Sequence, residues 1–181
     1  MVNAHQVGKV PLSSMGANHP MISARRYFEE PAAYLLSQGG PSPARLVVDC
    51  SQNTQRKIEG SDAELDVEFD PDEYEFGRLA ATLERRQVIE FAAVGLALLF
   101  LPNLADGQVT EVVQVNGRTD YWVNGRERLL EVSGTQDPSR LRTRHTEKVV
   151  QGGENPRRRP YFVSVSSFVD RRSIFSFHEV P

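Results

Sequence analysis

Three carboxylates stand where the surrounding pattern predicts burial or the middle of a sheet: Glu90, Asp120 and Glu131. Glu131 lies in RLLEVSG between Leu130 and Val132. If those two face a core, Glu131 shares the opposite strand face with Leu129 and Ser133. Asp120, in GRTDYWV, belongs to the preceding strand of the same hairpin. A tight turn at Asn124-Gly125 brings it near the level of Glu131 to Gly134, close enough across the ladder to share a cation. Glu90 is a lone acid in a helix otherwise apolar for several turns, so it must meet a cation, an arginine or water. Three converging carboxylates without histidine or cysteine suit a hard divalent ion, Mg2+ or Mn2+. Such an ion lowers the pKa of a bound water and offsets charge on a phosphodiester under attack. Each residue taken alone also has a structural reading. Asp120 can cap a turn, Glu131 can pair with Arg126 or Arg128, and Glu90 can pair with Arg85 or Arg86.

Basic residues gather around the same region. Arg140, Arg144 and Lys148 recur at i, i+4 and i+8 and form one stripe on a helix. Arg157-Arg158-Arg159 and Arg171-Arg172 add two clusters. Their functional reading is contact with nucleic-acid phosphates, which gives affinity without sequence readout. Their structural reading is a solvated helix face and a charged loop. Tyr121, Trp122 and Tyr161 suit base stacking or, more commonly, a core.

The elements that must hold these residues follow from periodicity. Glu75 to about Leu101 has helical spacing, amphipathic at first and apolar all round after Val88, with Pro102-Asn103 as its stop. Gln108–Val115, Arg118–Val123 and Glu127–Ser133 read as strands joined at Asn116-Gly117 and Asn124-Gly125, a tight three-stranded meander. Asp137-Pro138-Ser139 begins a helix running to about Gln151, and Tyr161–Phe168 alternates as a strand, with another at Ile174–Val180. Upstream, Met1 to about Pro20 reads as an irregular arm. A short helix from Ser23 to Leu36 and a strand at Arg45–Cys50 follow. Ala63–Asp70 alternates, with Leu65, Val67 and Phe69 facing a core and Glu64, Asp66, Glu68 and Asp70 facing away. That acidic face is expected on an edge strand guarded against pairing, or as a docking surface for a basic protein partner.

Composition narrows the classes. At 181 residues the chain suits one folded unit, read as an N-terminal arm and short helix over 1–44 and a single domain over 45–181. The net charge of −3 argues against coating nucleic acid by bulk electrostatics, although acids dominate Glu59–Glu75 and bases Arg140–Arg172. The single cysteine, Cys50, and four scattered histidines exclude an internal disulfide and a Cys-based or HExxH zinc site. No basic start precedes an apolar stretch, and Val88–Leu101 is too short to span a bilayer. A cytoplasmic protein away from membranes is expected.

The segment GRTDYWVNGRERLLEVSGT resembles the catalytic hairpin of the PD-(D/E)XK nuclease superfamily, in which an Asp on one strand precedes an acid, a spacer and a Lys on the next. The order helix, three strands, helix, strand over about residues 75–170 resembles that family's core as well. The resemblance implies an α/β (α+β), restriction-endonuclease-like fold with an N-terminal strand and helix extension. Asp120 and Glu131 would be ligands of Mg2+ or Mn2+, and Glu90 the acid many members carry on the first core helix. Ser133 stands where the family has its Lys. A serine hydroxyl holds a water but brings no positive charge. Lys148, on the following helix, is the residue that could reach back, as some variants of the family relocate their basic group.

The activity so implied is a Mg2+-dependent endonuclease acting on DNA, in a restriction, defence or mobile-element setting. Asp120, Glu131, Ser133 and Lys148 would then be at the reacting centre, with Arg140, Arg144, Lys148 and Arg157 to Arg159 on phosphates. The first alternative is a catalytically silent core of this fold, a subunit or homo-oligomer binding nucleic acid or a protein partner. The second is an interaction module with no nucleic-acid role.

Overall fold

The alternation between Ala63 and Asp70 is realised in strand β3 (Asp62–Glu68), whose Ala63, Leu65 and Val67 are fully buried in this computed structural model. The model describes residues 4–115 and 118–180; the side chains of residues 25, 26, 113–115 and 118–120 are outside the described set. β3 is not an edge strand. On one side β1 (His5–Pro11) pairs with it in parallel, and on the other β2 (Ala44–Asp49) pairs antiparallel. The stretch expected to be an irregular arm therefore carries a strand, and its acidic neighbour is internal. The carboxylates on β3's outer face are met by adjacent strands instead. Arg45 Nε lies 2.9 Å from Asp66, Lys9 Nζ lies 2.7 Å from Glu68, and Gln6 donates to Glu64. Opposite charges facing across a ladder remove the need for an edge.

The sheet has eight strands in the order β1-β3-β2-β8-β7-β6-β5-β4, with β4 spanning Val109–Val115, β5 Arg118–Val123, β6 Arg128–Thr135, β7 Tyr161–Ser167 and β8 Arg172–His178. β4, β5 and β6 are antiparallel neighbours, β6 and β7 are parallel, and β7 and β8 are antiparallel. With helices on both faces, the fold is mixed α/β. The turn expected at Asn116-Gly117 lies outside the described residues. At Asn124-Gly125 the connection is longer than a two-residue turn. Asn124, Gly125 and Arg126 all have positive φ (53°, 67° and 76°), and Val123 pairs with Arg128. Four residues thus close the hairpin.

Two helices frame the part of the sheet that matters for the site. The segment predicted as one helix from Glu75 is two: α3 (Phe76–Thr82) and α4 (Arg85–Leu104). Leu83 and Glu84 between them are extended, and Glu84 restarts the chain as an N-cap in a capping box with Gln87. α4 then runs through Pro102 instead of stopping there. It is long and apolar enough to cross a membrane by length and composition, yet it is mostly buried. It lies between the sheet, chiefly β6, and a layer formed by α1 (Ser14–Asn18) and α2 (Glu30–Gln38), which explains why it is apolar all round beyond Phe91. His19 fastens this layer: its Nε2 lies 2.7 Å from the Leu98 carbonyl, and its Nδ1 accepts from the Val109 amide at 2.8 Å.

The opposite face of β6, β7 and β8 is covered by α5 (Leu141–Gly153), which carries the chain from β6 to the parallel β7. Asp137 caps the short 3-10 turn Pro138–Arg140 that leads into it. Leu141 packs with Trp122, Leu129, Tyr161, Val163 and Val165 in a second small core. The two cores lie on alternate sides of β6. Leu130 and Val132 belong with α4, and Leu129 with α5.

Candidate functional site

β5 and β6 are paired only over Val123–Arg128, Trp122–Leu129 and Tyr121–Leu130. Beyond Tyr121 and Leu130 the ladder stops, while β6 continues to Thr135 along β7. The parting of the strands opens a cleft of about 380 Å3, with Tyr121, Val132 and Ser133 in its floor. The start of α4 forms one wall through Arg86, Glu90 and Phe91, and the flank of α5 forms the other through Arg144, Lys148 and Gln151.

The next register step would set Asp120 opposite Glu131, since each is the residue following the last pair on its own strand. Two positions singled out from sequence thus share one level of the hairpin, on strands that are no longer paired there. The side chain of Asp120 is outside the described residues. That of Glu131 is buried, and its Oε2 accepts from Lys148 Nζ at 3.0 Å and from Gln151 Nε2 at 2.9 Å. Lys148 also donates to Gln151 Oε1 at 3.1 Å, which closes a three-membered polar cluster. A buried carboxylate with a half-buried ammonium and an amide is well compensated. Its charge is felt nearby: burial, then Glu131, pushes the Tyr161 phenol above its ordinary pKa, and that hydroxyl donates to the Val149 carbonyl at 2.8 Å.

Ser133, two residues on from Glu131, is also buried. Arg144 Nη1 donates to its hydroxyl at 3.4 Å, a long contact. Arg144 Nε is buried and has no hydrogen-bond partner among the described residues. Its guanidinium also lines the cleft, where it can meet an anion. Arg144, Lys148 and Gln151 lie at i, i+4 and i+7 on one flank of α5, while Leu141 and His145 turn inward to the sheet.

Several sequence expectations change here. Glu90 is not a buried acid. Its side chain is 52% exposed and pairs with Arg86 at 3.1 Å, which matches the structural alternative for that residue. It sits before α4 becomes enclosed, where one side of the helix still faces outward. The expected stripe of Arg140, Arg144 and Lys148 is divided. Arg140 is exposed in the 3-10 turn, whereas Arg144 and Lys148 line the cleft. Glu131 pairs with Lys148, not with Arg126 or Arg128. Arg126 instead holds Glu111, and Arg128 lies over the Phe177 ring. Among the described residues no three His, Cys, Asp or Glu side chains group as a metal site.

Arg157, Arg158 and Arg159 are exposed in the loop after α5, beside the hairpin. Arg157 lies over the ring of Trp122, its guanidinium carbon 4.9 Å from the ring centroid. Tyr121, Trp122 and Tyr161 are buried, so none presents a bare ring to solvent.

Gln151 does not stand out in the sequence, although its spacing from Lys148 is a usable signal. Arg126 is legible there only as a partner for Glu131, because pairing it with Glu111 requires the register of two hairpins. No known family model matches the chain, and neither a curated protein nor a solved structure matches it.

Proposed function

We propose that the cleft between α4 and α5 binds and cleaves a phosphodiester of DNA, within a core of the restriction-endonuclease-like kind. The observation that carries this reading is the pairing of Lys148 with the buried Glu131 at the point where β5 leaves β6. Ser133 brings no charge to the strand, and Lys148 brings one from the following helix to the same carboxylate. The succession α4, β4, β5, β6, α5, β7, with β6 and β7 parallel, gives the reading its architectural support.

In this reading Glu131 and Asp120 would hold Mg2+ or Mn2+, an ion that supplies an activated water and neutralises developing charge when bound. The chain's own residues do the rest. Gln151 fixes the Glu131 carboxylate by its amide hydrogen bond, and Lys148 offsets charge as the phosphodiester approaches. Arg144 and, on the facing wall, Arg86 bind the non-bridging oxygens. Arg140 extends the positive surface beyond the cleft.

The test is cleavage of supercoiled plasmid and of single-stranded oligonucleotides with Mg2+ or Mn2+, by the native chain and by Asp120→Asn, Glu131→Gln and Lys148→Met. Each substitution is expected to lower the rate at least about 100-fold, the scale of one missing electrostatic group. Cleavage that survives Glu131→Gln sinks the assignment. A second reading has its own support in the already satisfied Lys148–Glu131 pair and the serine at 133: a core that binds DNA without cutting. Binding without cleavage, abolished when Arg140, Arg144 and Lys148 are neutralised together, would select it.

A further inference from the structure

Beside the cleft, on the outer side of the β4–β5–β6 hairpins, lies a second concavity of about 400 Å3 lined by three arginines, Trp122 and Glu111. Trp122 forms its floor; Arg126 comes from the four-residue hairpin loop, and Arg157 and Arg159 come from the loop after α5. Trp122 pairs with Leu129, and Glu131 is two residues further along β6 on the same face, so one diagonal ladder step of roughly 7–8 Å separates the two sites.

The arginines are held in place by other residues. Glu111 grips Arg126 through two hydrogen bonds, at 2.7 and 2.9 Å. The buried Asn155 side chain accepts from the Arg157 amide at 2.9 Å and donates to the Arg159 carbonyl at 3.3 Å. Arg158 between them has φ +47°, a left-handed turn that Asn155 braces on both sides. Arg157 places its guanidinium over the Trp122 ring, a cation–π contact that uses none of its N–H donors. Among the described residues neither Arg157 nor Arg159 has a carboxylate within ion-pair reach, so three guanidiniums face one acid, Glu111. A freely solvated arginine run would need neither the braced loop nor the ring beneath it.

We infer that Trp122, Arg126, Arg157 and Arg159 form a backbone-phosphate subsite that holds the substrate strand within about two nucleotides of the cleft, at roughly 3.4 Å per nucleotide. The inference rests on the phosphodiester reading of the cleft and adds a path to it. The strand runs along the flank of α5, from Arg144 and Lys148 toward Arg157.

Trp122 is the chain's single tryptophan, so all tryptophan emission arises at this subsite. The full chain in EDTA would be titrated with a 12-nucleotide single-stranded oligodeoxynucleotide, by Trp122 emission and by anisotropy of a labelled strand. The expected result is a saturable emission change with the same midpoint as the anisotropy. Arg157→Ala with Arg159→Ala should weaken binding at least about tenfold and abolish the emission response. The slope of log affinity on log salt should become shallower by about 0.7 for each phosphate that the variant no longer neutralises. Arg45→Ala, which removes one charge elsewhere, should leave all three readouts as they are. Anisotropy without an emission change, or a double variant that binds like the native chain, overturns the subsite while leaving the cleft reading to its cleavage assay. No binding by either signal overturns it too. An arginine-dependent emission response in a chain that never cleaves keeps the subsite and removes the hydrolase reading.

Discussion

Lys148 meets Glu131 across the crossover from β6 to α5, Nζ to Oε2 at 3.0 Å, with side-chain exposures of 23% and 4%. The pair is a tether as well as a candidate reacting centre. Removing the ammonium leaves a buried carboxylate with Gln151 alone, so Lys148→Met should cost about 1.5–3 kcal/mol. Adding Glu131→Gln removes the stranded charge and should recover most of that loss. Urea denaturation of the two single variants and the double variant closes the cycle. A Lys148→Met variant as stable as the native chain would mean that solvent already compensates the acid.

Gly134 sits where α4 crosses β6. A Cβ there would lie 2.7 Å from both the Ile89 carbonyl and its Cγ2, and 3.1 Å from the Ala93 Cβ. Backbone cannot yield as a flexible side chain can. Gly134→Ala should therefore destabilise the fold by about 1–3 kcal/mol and lift α4 off the strand that carries Glu131 and Ser133. Lower thermal stability with a smaller response to DNA is the expected pairing of results. Unchanged stability would show that the helix seats loosely.

Glu90 should be nearly silent in the same assays. Its partner Arg86 is four residues away on an exposed helix face, and such pairs contribute about 0.3–0.5 kcal/mol. Glu90→Gln should shift the unfolding midpoint no further than that. A loss of more than about 1.5 kcal/mol would mean that the carboxylate has a buried role.

Local pattern carries the strands and fails where contacts are long-range. Ala63–Asp70 and Tyr161–Phe168 are legible because one face of each alternates or is uniformly apolar. β1 is not, because Gly8 at φ +93° and the register shift between Gln6 and Gly8 break its period, and Pro11 ends it. Glu90 misleads because composition reports an apolar helix without saying at which turn the fold encloses it. The strand face shared by Asp120 and Glu131 is readable from the hairpin but their level is not: a two-residue loop would set Asp120 opposite Leu129, and the four-residue loop shifts the register by two, which keeps the face. Lys148 is named in the sequence through the resemblance and as the last residue of a basic stripe, but the crossover has to seat α5 before its reach to Glu131 can be known. Gln151, one turn further on, depends on the same docking.

Acid should loosen α5 through its inner face. His145 Nε2 lies 2.7 Å from Ser176 Oγ, which in turn lies 2.8 Å from His178 Nε2. The one hydroxyl proton can go to only one ring, so at least one ring nitrogen must donate to the serine, an arrangement that neutral imidazoles satisfy. Burial, then the neighbouring His178, pushes the His145 pKa down to about 4, with Arg142 acting the same way and Asp49 opposing. Burial lowers His178 as well. The unfolded chain takes up these protons near pH 6.5, before the native one does, so the stability from the neutral pair is complete above that pH. It declines as pH falls toward 4. Urea midpoints should drop between pH 7 and pH 4.5. His145→Gln should flatten the decline without removing it, because desolvation lowers the buried His19 in the same direction. A variant whose midpoints follow the native curve over this range would show that His145 titrates as a solvated histidine.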